Sequence, residues 1–182
     1  MIAAEQIVEF TRSATADVFT TMLGLELEAA PEQIDQNAPT VADGVMALVG
    51  IAGPWVGTGV ICCTAPVARE ICGRLLSMEA QAVNEEVLDA VGEVANMIFG
   101  NFKSMIEEVL GPLGLSIPTV IYGHNYTSHC IGRQTWIVLP FKSKGDVIEI
   151  RVCLSPARTP MSTRGGFAQS CATTACDPKV TA

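Results

Sequence analysis

Residues 83–110 read VNEEVLDAVGEVANMIFGNFKSMIEEVL, and this stretch decides the fold. Val83, Val87, Val91, Val94, Ile98, Phe102, Met105 and Val109 step by four, four, three, four, four, three and four. That spacing lays them along one side of an α-helix. Ile106 and Leu110 widen the stripe, and Gly111-Pro112 ends it. The opposite side is as regular: Glu86, Asp89, Glu93, Asn96, Gly100, Lys103 and Glu107 form one row. Such a helix packs its stripe on a sheet and offers its row to solvent or to a partner.

The rest of the chain supplies the sheet. Residues 3–23 have a helical rhythm in Ile7, Val8, Phe10, Ala14, Val18, Met22 and Leu23. A short strand fits 25–29, and residues 30–43 are loop by composition. Strands fit 44–52 and 56–64. Pro66 suits the first turn of a helix over 66–77. Beyond the long helix, strands fit 115–122, 134–140 and 146–154, with 123–133 as a polar connection.

The order repeats. Leu23-Gly24-Leu25 returns as Leu113-Gly114-Leu115, and Cys63 returns as Cys153, both at an offset of 90. The reading is an α+β domain over 1–155, a duplicated helix-plus-three-strand unit with long helices on a β-sheet. Its pseudo-repeats cover 1–64 and 83–154, joined by helix 66–77. From Pro156 to Ala182, Ser, Thr, Ala, Gly and Pro dominate, so a flexible tail is expected.

Composition narrows the function. Apolar residues are 49% of 182, enough for a sizeable core. The net charge is −8, and residues 1–155 hold 8 basic and 18 acidic side chains. An acidic body excludes nucleic acid as the expected partner. Its plain role is solubility; a basic partner surface is the sharper reading. The seven cysteines (Cys62, Cys63, Cys72, Cys130, Cys153, Cys171 and Cys176) are odd in number and form no CxxC. They fit a reducing cytosol. The opening MIAAEQIVEF has acids and no basic run, so no secretory leader is expected. Gly44 to Ala68 is uncharged over 25 residues, long enough for a membrane span. Gly53-Pro54 and Gly57-Thr58-Gly59 punctuate it, so two buried strands and no membrane segment are expected.

An acidic and amidic helix row is ordinarily a solvated face. The longer string carries more: Asp89-x3-Glu93-x2-Asn96-x3-Gly100-Asn101-x-Lys103 resembles the signature helix of the CheC/CheX/FliY chemotaxis phosphatases. Their motif has an acidic or Ser residue, then Glu, then Asn, often with a proline a little over twenty residues on; Pro118 lies near that place. EVLDAVGEVANMIFGNFKSMI and the strands after it are most similar to the CheX branch, and the resemblance covers about 1–155. Some members carry the Glu/Asn pair on both long helices. Here no E-x-x-N exists in 1–23, so one active face per chain is expected.

The resemblance implies a CheC-like fold and a cytoplasmic protein of two-component signalling. The implied activity is hydrolysis of the aspartyl phosphate of a CheY-type response regulator. The implied catalytic residues are Glu93 and Asn96, with Asp89, Gly100 and Lys103 as partner contacts. No metal or cofactor is expected in this chain; the Mg²⁺ belongs to the phosphorylated partner. A homodimer is expected. The alternative is a non-catalytic CheC-like module that binds a receiver domain or a flagellar switch component, and a third reading is sequestration of the receiver without turnover.

Weaker patterns point elsewhere. His124 and His129, with Cys130, lack further ligands at metal spacing. Lys142, Lys144 and Arg151 suit a protected strand edge. Gly57-Thr58-Gly59 lacks the helix and lysine of a phosphate loop.

Overall fold

The structure is a computed structural model that describes residues 2–127 and 134–157. The expectations for His129, Cys130, Cys171, Cys176 and nearly all of the tail fall outside these residues. Helix α1 spans Ala4–Leu23, α2 Ala65–Leu76 and α3 Glu85–Leu110. The strands are β1 Glu28–Ala29, β2 Gln33–Asp35, β3 Thr40–Ala52, β4 Trp55–Cys63, β5 Gly114–Leu115, β6 Thr119–Thr127, β7 Trp136–Ser143 and β8 Asp146–Pro156.

All eight strands join one antiparallel sheet in the order β1-β7-β8-β4-β3-β5. Strand β2 also lies on β7, and β6 also lies on β3. Each half of the chain therefore lends strands to the other: β6 completes β3, and β1 and β2 complete β7. The centre is the β4–β8 pair, running from Trp55 opposite Pro156 to Cys63 opposite Ile148.

Alternation along the strands sends one set of side chains to the helices. Val45, Ala47, Val49, Ile61, Leu139, Ile148 and Ile150 meet Phe19 of α1, Ile71 of α2, and Val91, Ile98, Phe99 and Phe102 of α3. On the other face Met46, Val60, Cys62, Trp136 and Val138 form a second buried cluster that includes no helical residue. Two buried hydroxyls of α1 turn back on their own helix: Thr11 donates to the Ile7 carbonyl and Thr15 to the Thr11 carbonyl, both at 2.7 Å. Burial pushes the Cys62 and Cys63 thiols up to about 12, so both behave as small apolar groups.

Several boundaries differ from the sequence reading. Residues 30–43 hold β2 and the start of β3, and the polar connection 123–133 begins with the last residues of β6. Strand 25–29 shrinks to Glu28–Ala29. Pro156 belongs to β8, and the Ala157 N–H bonds the Pro54 carbonyl at 2.9 Å, so the sheet includes the first residue assigned to the tail. Met22 is exposed and Phe19 takes its place in the core. The turn between β3 and β4 is at Gly53-Pro54. Gly57 and Gly59 lie inside β4, where neighbours leave no room for a side chain. No helix among the described residues is long and apolar enough to cross a membrane.

Candidate functional site

Helix α3 is fixed at both ends. At its start the Asn84 side-chain oxygen accepts the Val87 N–H at 3.1 Å. Glu85 and Glu86 lie in its first turn, where the helix dipole favours negative charge. At its end Gly111 takes a positive φ of 82° and returns its N–H to the Glu107 carbonyl. The Glu107 carboxylate accepts the Leu113 N–H at 2.6 Å and meets Lys103 at 3.1 Å. The Leu113 N–H first, and Lys103 second, hold this carboxyl below its ordinary value. The helix end is thereby tied to the chain entering β5.

The buried side of α3 carries Val87, Ala90, Val91, Val94, Ala95, Ile98, Phe99, Phe102, Ile106 and Leu110. Val109, expected in this stripe, is exposed. The stripe follows a period nearer 3.6 than its own steps, and by the last turn Val109 has rotated off the core.

The outward row divides into two parts. Asp89, Glu93 and Asn96 are exposed. No hydrogen bond or ion pair among the described residues engages their side chains. Glu93 and Asn96 stand one turn apart on the same side. Gly100 and Lys103 are half-buried, and Lys103 is engaged by Glu107, so its charge is partly committed within the helix. Next to the row, Asn101 donates to Asp17 of α1 at 3.1 Å.

Between α3 and β6 a shallow groove of about 300 Å³ is lined by Asp89, Gly92, Glu93, Pro118 and Val120. The motif places Pro118 only in sequence; in the fold it forms a wall beside Glu93. Gly92 sets the closeness of the two elements, because a Cβ there would lie 3.2 Å from Val120 Cγ2. Periodicity alone does not single out Gly92 or Val120, since their role depends on β6.

Gly100 differs from Gly92. A Cβ at Gly100 would meet nothing within 4 Å. The fold of this chain does not require a glycine there, and glycine costs about 1 kcal/mol relative to alanine in a helix interior. Gly100→Ala should therefore raise stability by about that amount in thermal or urea unfolding. An unchanged or lower midpoint would show that the site is crowded after all.

No group of three or more His, Cys, Asp or Glu side chains among the described residues has the geometry to hold a metal ion. His124 instead pairs with Asp43 at 2.9 Å. Lys144 pairs with Glu70, and Arg151 with Glu149 and Asp35.

The family model described as chemotaxis phosphatase CheX matches residues 45–142. The chain belongs to the CheX family. The match runs from β3 through α3 to β7, so it includes Asp89, Glu93, Asn96 and Pro118. No protein of curated function matches the chain. Among solved structures, CheX from Vibrio vulnificus is 28% identical, with 82% of this chain and 99% of that one covered and a TM-score of 0.71. CheX from Desulfovibrio desulfuricans is 27% identical, with 82% and 99% covered and a TM-score of 0.74. A chain of the CheX–CheY–BeF3–Mg²⁺ complex from Borrelia burgdorferi has the same fold at 24% identity, with 81% and 97% covered and a TM-score of 0.70. The mixed helix and antiparallel sheet architecture is thus a CheC-like fold, as the sequence resemblance implied.

Proposed function

We propose that this CheX-family protein hydrolyses the aspartyl phosphate of a CheY-type receiver domain, with Glu93 and Asn96 acting from α3. The observation that carries the reading is the pair itself. Both side chains are exposed, unengaged and one turn apart on a helix fixed at each end. The family supports the reaction, and the Borrelia relative is held in a complex with CheY, BeF3 and Mg²⁺.

The reaction needs a water in line with the bond between phosphorus and the carboxylate oxygen. The water attacks phosphorus, that bond breaks, and inorganic phosphate and the free carboxylate remain. Positioning dominates, because the protein has little covalent work to do. The Asn96 side chain suits this role. Its carbonyl accepts a hydrogen bond from the water, and its NH₂ donates to a phosphoryl oxygen. Glu93 pairs with the lysine of the receiver's site and sets the helix on it. Asp89 and Lys103 give rim contacts of small value. Gly100 leaves space for the partner's backbone, so Gly100→Ala should weaken docking while it stabilises the fold. The Mg²⁺ travels with the receiver, and this chain supplies neither metal nor cofactor.

The test is the decay of a phosphorylated receiver with catalytic amounts of this protein. Multiple turnovers support the reading. Tight binding without faster decay, across several receivers, gives the lead to the non-catalytic module. The protein is further proposed to act in the cytoplasm and as a homodimer, as expected for one active face per chain. Sedimentation equilibrium should give twice the chain mass; monomer alone at working concentration ends that proposal.

A further inference from the structure

A single helix row is narrow. A stable complex covers roughly 800 Å² on each partner, so a receiver seated on α3 must also rest on a flank. On the α1 flank Ser13, Asp17 and Thr20 face solvent beside one large apolar group, Met22, and Asn101 is bound to Asp17. The β6 flank is apolar. The groove between α3 and β6 has Glu93 on one wall and Pro118 on the other. Ile117, next to that wall, is 86% exposed, and Tyr122 is 42% exposed. Val120 lies opposite Ala47 and Tyr122 opposite Val45, both on the helix side of β3. Tyr122 therefore points to the same face as Val120.

An isolated exposed apolar side chain means little. Here one of them precedes the groove residue Pro118 in the chain and the other shares the strand face of the groove residue Val120, and the groove's other wall is the candidate site. The backbone that carries Ile117 is also held firmly. The Ser116 hydroxyl donates to the Ile117 carbonyl and accepts the Gly50 N–H, each at 2.8 Å, and the Ser116 N–H bonds the Gly50 carbonyl. A backbone ordered before binding loses little freedom on docking, and tyrosine offers a large area with few rotatable bonds.

We propose that Ile117 and Tyr122 are apolar anchors of the receiver-binding surface. They take an aliphatic or aromatic side chain of the receiver that neighbours its basic residue, while Asp89 and Glu93 meet the charge. This inference rests on the receiver being the partner, and it adds the contacts that set affinity.

The experiment measures the Kd for a receiver charged with beryllium fluoride and Mg²⁺, and turnover of the phosphorylated receiver, for wild type, Ile117→Ser and Tyr122→Ala. Ile117 is so exposed that its replacement leaves the fold intact, and a matching melting curve verifies this. Each variant should raise Kd by about tenfold while turnover at saturation stays within twofold of wild type. Unchanged Kd in both variants overturns the anchors and leaves the phosphatase reading standing if turnover persists. A weaker Kd with no turnover in wild type keeps the anchors and removes the enzyme reading. Loss of a dimer with unchanged receiver Kd assigns the strip to a second copy and overturns the proposal.

Discussion

Asn96→Ala is expected to lower turnover of a phosphorylated receiver by on the order of 100-fold or more, the scale set by losing the alignment of a reacting water. The fold should not suffer. Asn96 is exposed and bears none of the core's weight. Alanine is also the better helix former by up to about 0.7 kcal/mol. The melting temperature should therefore hold or rise slightly, which separates lost chemistry from lost structure. Affinity for the receiver should change little, because the proposed anchor, Glu93, is untouched. Single-turnover decay at saturating enzyme is the measurement. Wild-type decay in this variant would remove Asn96 from the mechanism.

Gly59→Ala should act in the opposite way, by damaging the fold first. A Cβ at Gly59 would lie 2.3–2.5 Å from three atoms of the Phe99 ring. That ring is fully buried in the core, so it can shift only by displacing its neighbours. Overpacking of this kind typically costs about 1–3 kcal/mol. The relief open to the molecule is to push α3 away from β4. Phe99 lies three residues beyond Asn96, so activity should fall together with stability. Urea unfolding gives the measurement, and a midpoint equal to wild type would mean the ring has a second place to go. Against Gly100→Ala the contrast is direct: the same substitution should stabilise in open space and destabilise under an aromatic ring.

Much of this is legible in the sequence, for physical reasons. The period of α3 comes from a helix with one buried and one exposed side, and a core this apolar enforces it. The strand pairs around Gly53-Pro54 and Gly145 are readable because β3, β4, β7 and β8 are central and continuous in apolar residues. The peripheral strands are not. Gln33–Asp35 is mostly exposed, so it shows no burial pattern, and Pro31 and Pro39 give its surroundings the composition of a loop. The last turn of β6 reads Gly123-His124-Asn125-Tyr126-Thr127, polar because it is a sheet edge, with a positive φ of 51° at Asn125.

The site divides along the same line. Asp89, Glu93 and Asn96 can be placed on one exposed row because one helix sets their relation. Pro118, Val120 and Tyr122 depend on how β6 lies against α3, which no local pattern encodes. Lys103 reads as a rim contact from its position in the row; its partner four residues on, Glu107, engages it first. Gly57 and Gly59 read as turn residues when seen alone. Their need for glycine comes from the Cys153 carbonyl and the Phe99 ring, both far along the chain.

The exchange of strands between the two halves also governs how the chain can be made. Strand β3 is finished on one side by β4, a few residues later, but on the other by β6. Thr40 waits for Thr127, and β2 likewise waits for β7. During synthesis the first half leaves the ribosome with an apolar strand edge that nothing yet made can cover. Long-range pairings of this sort slow folding, because a large loop must close before the contacts reward it. The nascent protein is thus most open to aggregation after α2 has emerged and before β6 has, and a chaperone that shields strand edges would have its largest effect in that interval.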